Sequence, residues 1–173
     1  MAAGATYTPI ATTTISGTGT STITFNSFSG YTDLVLVVNA RELTSSDGGL
    51  SILFNSDSGT NYSITQILGD GTSATSARAS NQTKLATYCM ADPSSSSFGL
   101  GIVQIMNYSN STTYKTALQR TMTVNSSNQA AATVARVGLW RNTAAITTIS
   151  LSPTNGNNFA SGSSATLYGI AAA

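Results

Sequence analysis

The sequence contains no histidine, and its 173 residues include only six acidic side chains and one cysteine. Histidine is the side chain whose unperturbed pKa lies near neutral pH, so the commonest agent of proton transfer is missing. The few carboxylates are scattered singly, which disfavours the paired acids of a glycoside hydrolase. No Gly-x-Ser-x-Gly elbow occurs for a serine nucleophile. We therefore expect a protein that is not an enzyme and has no catalytic residues.

The scarcity of cysteine and acid also limits metal binding and cross-linking. Cys89 cannot form an intrachain disulfide, and no Cys/His cluster exists for zinc. A small buried apolar residue is the favoured interpretation of Cys89, with a free reactive thiol as the alternative. Residues 55–59 are rich in side-chain oxygens, but only Asp57 is charged, so Asp57 is a weak candidate for a metal ligand and a polar turn is favoured. We expect no metal and no cofactor.

Charged residues make up only 8% of the chain, and its formal net charge is +1. No run of Lys or Arg could follow a phosphate backbone. The longest aliphatic run, residues 34–38, has the length of a strand and is far shorter than the roughly 18 apolar residues of a membrane span. The first residues lack the basic and apolar regions of a signal peptide. We expect neither nucleic acid nor membrane as a partner, and synthesis in the cytoplasm.

The chain is instead rich in residues that favour strands. It has 28 threonines and 26 serines, and 40% of it is hydrophobic, which is too much for a disordered chain. Residues 20–25 alternate, with Ile23 and Phe25 on one face and threonines on the other. Turn residues separate eleven predicted strands, at 8–15, 20–25, 32–42, 49–54, 62–68, 84–90, 98–108, 113–123, 132–141, 145–151 and 164–170.

These short strands, without a periodic helix, predict an all-β fold. We expect an antiparallel two-sheet sandwich, jelly-roll-like, with about ten to eleven strands in one domain over residues 1–173. A short N-terminal arm is predicted at about residues 1–9, where Pro9 blocks regular pairing. Residues 69–83 show no clear period and are interpreted as a long loop, or alternatively as a short helix around 74–79.

Two further segments have predicted placements. Residues 98–106 are apolar on both sides, which predicts a central strand covered on both faces, and Gly99 and Gly101 within it indicate a tight approach or a bulge. Arg136 and Trp140 share one face of a regular strand with Gly138 between them. Trp140 has three interpretations: core packing, in which Gly138 makes room for the ring, a subunit contact, or a sugar platform.

Three segments carry a resemblance to a known family. They are Phe-Ser-Gly-Tyr-Thr-Asp-Leu-Val-Leu at 28–36, Leu-Phe-Asn-Ser-Asp-Ser-Gly-Thr-Asn-Tyr-Ser at 53–63 and Ala-Thr-Leu-Tyr-Gly-Ile at 165–170; the Gly-Leu-Trp-Arg of 138–141 and the Asn-Phe of 158–159 followed by Gly-Ser at 162–163 fit the same pattern. Together they resemble small β-rich virion structural proteins of tailed phages, particularly phages of aquatic bacteria. The resemblance spans nearly the whole chain. Its motifs specify strands and turns, and they carry no catalytic residues.

The resemblance implies a virion protein of the capsid surface or tail. We expect a capsid decoration or cement protein that binds the assembled shell, with the major capsid protein and copies of itself as partners. A trimer is expected only by analogy with other virion jelly rolls. Tyr7, Pro9, Arg136 and Trp140 are the candidate interface residues. The alternative is a tail-fibre or spike domain that binds a host-surface glycan through loop 69–83 and Trp140.

Overall fold

The structure is a computed structural model that describes residues 6–44 and 48–171, and these residues form strands without any helix. The strands are β1 (Tyr7–Thr14), β2 (Ile23–Asn26), β3 (Asp33–Arg41), β4 (Gly49–Phe54), β5 (Tyr62–Gly69), β6 (Ala74–Gln82), β7 (Leu85–Tyr88), β8 (Met90–Ala91), β9 (Gly99–Ile105), β10 (Lys115–Val124), β11 (Ala130–Trp140), β12 (Thr148–Pro153) and β13 (Ser164–Ile170).

Two sheets pack against each other. The larger sheet has nine strands in the order β1-β13-β3-β9-β10-β11-β5-β6, with the two-residue β8 also bridging β3 and β10. The smaller sheet has the order β2-β12-β4-β7. Every pairing is antiparallel apart from the two short ones that β8 makes. The predicted all-β antiparallel two-sheet sandwich is thus confirmed.

The core lies between the sheets and is built by alternation along each strand. Ile23 and Phe25 are buried while Thr24 between them is exposed, as their period-two pattern predicts. The same rule buries Leu34 and Leu36 of β3 in the larger sheet. Other inward side chains of the core are Leu50, Ile52, Phe54, Val103, Ile105, Ile149 and Leu151.

Residues 69–83 form neither a loop nor a helix, so both interpretations of this segment are wrong. They complete a hairpin in which β6 pairs with β5. Eight of the nine residues of β6 are exposed, because β6 is an edge strand with both faces largely open. An exposed edge needs no alternation of polar and apolar residues, which is why the segment shows none.

The turn of this hairpin is held by one carboxylate. Asp70 Oδ1 accepts hydrogen bonds from the backbone amides of Thr72 at 2.8 Å and Ser73 at 2.7 Å. These backbone bonds, assisted by the hydroxyls of the same two residues, hold the pKa of Asp70 well below its usual value. The segment is therefore an ordered hairpin with an Asx-type turn at its tip.

The predicted N-terminal arm is a strand over its described part. Tyr7 lies opposite Ile170 and Pro9 opposite Tyr168, with an irregularity between Pro9 and Ala11. Pro9 therefore does not prevent pairing, since β1 is an edge strand and a proline beside a bulge is tolerated there. Residues 1–5 of the predicted arm lie outside the described residues.

Strand β9 is central, between β3 and β10, as predicted. The expectation that both of its faces are covered is wrong. Gly101, Val103 and Ile105 are buried, whereas Leu100 is 40% exposed and Ile102 is half-buried. The smaller sheet covers one face of β9, and the other face is open.

Cys89 is fully buried, as its favoured interpretation states. Burial raises the pKa of its thiol from 9.0 to about 12. We expect Cys89 to resist a thiol reagent such as Ellman's reagent at pH 8 in the folded protein and to react at once after unfolding in urea. Rapid stoichiometric labelling of the folded protein would contradict the buried position.

The same thiol makes stability depend on pH. Because its pKa is higher in the folded state than in the unfolded state, the contribution of Cys89 to the free energy of unfolding is complete below about pH 9 and declines between about pH 9 and 12. Urea unfolding at several pH values should show this decline in the wild type. Cys89→Ala should show a shallower decline over the same range.

Candidate functional site

Trp140 belongs to the core. Its ring is 1% exposed, stacks on Tyr62 with centroids 6.4 Å apart, and meets Phe54 edge-on at 5.7 Å. Neither a sugar platform nor a subunit contact can be built on a ring that is not at the surface. Gly138 does not make room for this ring either, since a Cβ there would meet Leu85 Cδ2 at 2.7 Å.

Asp57 supports the turn after β4 and the neighbouring core. Its Oδ2 accepts hydrogen bonds from Trp140 Nε1 at 2.7 Å and Asn61 Nδ2 at 2.9 Å, and its Oδ1 accepts one from the Gly59 amide at 2.8 Å. Burial tends to raise the pKa of Asp57, but these hydrogen bonds outweigh it and lower the pKa. Within residues 6–44 and 48–171, no three Cys, Asp or Glu side chains are grouped to hold a metal ion.

Two of the remaining candidate interface residues, Tyr7 and Pro9, lie at the surface. Tyr7 is 56% exposed and meets Tyr168 edge-on with ring centroids 6.5 Å apart. Pro9 is also exposed. Arg136, in contrast, is 5% exposed and points between the sheets, so it offers almost no surface to a contact with another subunit.

A further candidate site is the surface of the nine-stranded sheet that points away from the smaller sheet, which we call the outer face. The pairing register places Leu118 of β10 between Val137 of β11 and Gln104 of β9. Two residues further along β10, Arg120 lies between Ala135 and Ile102. The residues that alternate with these, such as Gln119, are buried between the sheets.

The outer face exposes large apolar side chains. Ile67 is 63% exposed, Val137 48% and Leu118 47%, and Leu100 with Ile102 continues the strip across β9. Contiguous apolar surface of this kind is uncommon on a soluble monomer and marks interaction sites. Sequence reasoning missed these residues because an exposed Leu or Val follows the same period-two pattern as a buried one.

Two shallow grooves cross the outer face and share three residues. The first, of about 570 Å³, contains Ile67, Leu118 and Val137, and the second, of about 310 Å³, contains Tyr7 and Tyr168. Both are lined by Ile102, Gln104 and Arg120, so they form one continuous surface from β5 to β1. Neither groove is lined by an acidic residue of the described part of the chain.

The outer face therefore offers apolar contact area, an amide from Gln104, and one positive charge from Arg120. Its groups suit binding by shape and apolar contact, with the guanidinium fixing orientation. The described part of the chain contains no helix that is long and apolar enough to span a membrane.

The fold places the protein in the class of all-β, antiparallel two-sheet sandwiches. No protein-family model matches the sequence, and no curated protein does. The galectin LEC-6 of Caenorhabditis elegans is similar in structure with a TM-score of 0.37 and 8% identity, over 93% of this chain and 96% of that one. A protein of unknown function from Shewanella oneidensis MR-1 has a TM-score of 0.24 and 9% identity, over 83% of this chain and 60% of that one. Both TM-scores are too low to support an argument about function.

Proposed function

We propose that this protein is a non-enzymatic virion structural protein that decorates an assembled capsid and binds the shell through its outer face. The observation that carries the proposal is the strip of exposed apolar side chains at Ile67, Leu100, Leu118 and Val137. A protein surface is a suitable partner for this strip. The centre of the outer face is apolar, and its central charge, Arg120, is of a residue type enriched at protein interfaces.

The mechanism is mass action. A protein that binds the assembled shell but not the dissociated subunits stabilises the assembled state in proportion to its own concentration and affinity. A net charge of +1 keeps the repulsion between neighbouring copies small, so that many copies can lie close together on one particle. The resemblance to virion proteins of tailed phages supports the same assignment.

The proposal predicts that Leu118→Asp prevents decoration. An aspartate at the centre of the outer face would carry its charge into an apolar contact on binding, at a cost of about 2 kcal/mol or more, and each 1.4 kcal/mol weakens binding about tenfold. We expect at least a tenfold loss of occupancy on particles that lack the native protein, measured by quantitative mass spectrometry. Thr22→Asp, an exposed change outside the outer face, is the matched control and should bind normally.

The position of the protein in purified particles, determined by electron cryomicroscopy, tests the role itself. Many copies distributed over the shell are expected. A few copies at a single vertex would instead assign the protein to the tail. Full occupancy by Leu118→Asp would show that the outer face is not the contact.

A glycan-binding tail domain is the second candidate, and one observation favours it. The exposed Tyr7 and its neighbour Tyr168 lie in the groove that also contains Gln104 and Arg120. Aromatic rings beside amide and guanidinium groups can bind sugars. This candidate predicts saturable binding of the isolated protein to host cells, reduced by Tyr168→Ala, and absence of cell binding would remove it.

A further inference from the structure

A separate pocket lies on the opposite side of the nine-stranded sheet from the outer face. It has a volume of about 440 Å³ and lies between the β5–β6 hairpin and β7, which is an edge strand of the smaller sheet. Its wall residues include Ile64, Ala77, Ala79, Ala86 and Tyr88. The volume is within the range of small-molecule sites.

Two arginines line this pocket: Arg78 is exposed, whereas Arg136 is 5% exposed and is the buried charge at its back. It alternates with the exposed Val137, and its side chain therefore points inward, with Cζ 5.4 Å from the centroid of the Tyr88 ring. Its Nη2 donates a hydrogen bond to Gln66 Oε1. Its Nε, although buried, has no hydrogen-bond partner in the described part of the chain. An arginine carries five N–H donors, and leaving them unused in the interior is costly.

A second buried polar group lies beside Arg136. Gln119 is directly opposite Arg136 in the β10–β11 pairing and is 2% exposed. Neither its amide oxygen nor its amide nitrogen has a hydrogen-bond partner among the described residues. Gln119, Arg136 and Gln66 thus form a polar row across three strands of the larger sheet, in an interior where polar groups are normally satisfied.

Among residues 6–44 and 48–171, no acid lines the pocket to neutralise Arg136. Four aspartates accept hydrogen bonds elsewhere: Asp33 from the Asn107 amide, Asp57 from Trp140, Asp70 from its own turn and Asp92 from Ser94. Desolvation lowers the pKa of the Arg136 guanidinium, partly offset by Tyr88 and Cys89. A buried cation without a carboxylate is destabilising unless another anion pairs with it.

We propose that this pocket binds a small organic carboxylate, whose carboxylate group pairs with the Arg136 guanidinium and whose apolar body packs against Ala77, Ala86 and Tyr88. The planar guanidinium is suited to a carboxylate because it can donate two parallel hydrogen bonds. The alanines leave space for the ligand, and the Tyr88 ring, already beside the guanidinium, provides a flat apolar wall. This site is independent of the outer face.

Benzoate is the probe for this proposal, titrated into the isotopically labelled full-length protein and followed by NMR. We expect saturable shifts of the backbone amides of Ala77, Ala86 and Tyr88. Benzamide, which has the same ring without the charge, should bind at least tenfold more weakly. Inorganic phosphate should also bind more weakly than benzoate, since it lacks an apolar body.

Arg136→Met should abolish benzoate binding, whereas Arg120→Met, which removes the exposed arginine on the outer face, should leave the affinity unchanged. Replacing a buried charge by an apolar side chain of similar volume is commonly neutral or stabilising, so we expect Arg136→Met to fold. If it does not fold, the comparison of benzoate with benzamide on the wild type still tests whether the pocket binds a carboxylate. Absence of saturable shifts, or equal binding of benzoate and benzamide, would overturn the proposal. Phosphate binding as tight as that of benzoate would overturn the assignment to an organic carboxylate.

Discussion

Replacing Trp140 with alanine is expected to lower the free energy of unfolding by about 3–5 kcal/mol. The indole is fully buried between Tyr62 and Phe54, and the substitution would leave a cavity where three rings now meet. It would also remove the donor that hydrogen-bonds Asp57 Oδ2 at 2.7 Å, so this carboxylate oxygen near the core would lose one of its partners.

The effect should be measured by urea unfolding followed by circular dichroism, because Trp140 is the only tryptophan and the variant has no indole fluorescence. Trp140→Phe should be less destabilising than Trp140→Ala because it keeps a ring in the core, although it also loses the hydrogen bond to Asp57. Leu118→Ala is the matched control: it truncates an exposed side chain, and we expect a change of about 0.5 kcal/mol or less. A loss below about 1 kcal/mol for Trp140→Ala would mean that the ring is not packed as described.

Gly99→Ala is expected to be the most damaging of the glycine substitutions in the central part of the larger sheet. A Cβ at Gly99 would lie 2.5 Å from the carbonyl oxygen of Cys89 and 2.8 Å from the carbonyl carbon of Met90. Both are backbone atoms, so a rotamer change cannot relieve the clash, and β9 is hydrogen-bonded on both sides. We expect a loss of about 1–3 kcal/mol or more, the usual cost of overpacking.

Gly69→Ala provides the control for this prediction. It makes the same chemical change at the end of β5, where a Cβ would have nothing within 4 Å and the backbone does not have a positive φ. We expect it to change the free energy of unfolding by about 0.5 kcal/mol or less. Equal stabilities of the two variants in urea unfolding would show that the chain does not approach Gly99 closely. A Cβ at Gly101 would likewise meet Cys89 Cβ at 2.9 Å, so both glycines of the Gly-Leu-Gly pattern lie at the tight approach that the sequence indicated.

The segments with strong alternation were predictable, and those without it were not. Ile23 and Phe25 alternate with threonines, and β2 was found on that basis with its buried face correctly chosen. Strand β6 was missed because both of its faces meet solvent, and hydrophobic burial then imposes no pattern on its residues. A strand was predicted from residue 8, but Pro9 was also expected to block regular pairing; it pairs with β13 because a proline is excluded only from central strands.

The sequence by itself determined that the chain is all-β, antiparallel and two-layered, because local residue preferences and period-two alternation are properties of each strand alone. It could not decide which face of each strand is covered in the larger sheet. Leu118 and Val137 are exposed while Gln119 and Arg136 are buried, the reverse of what hydrophobicity favours. Only the tertiary structure decided this, since register and the position of the smaller sheet depend on contacts between residues far apart in the chain. Both candidate sites arise from this reversal of exposure.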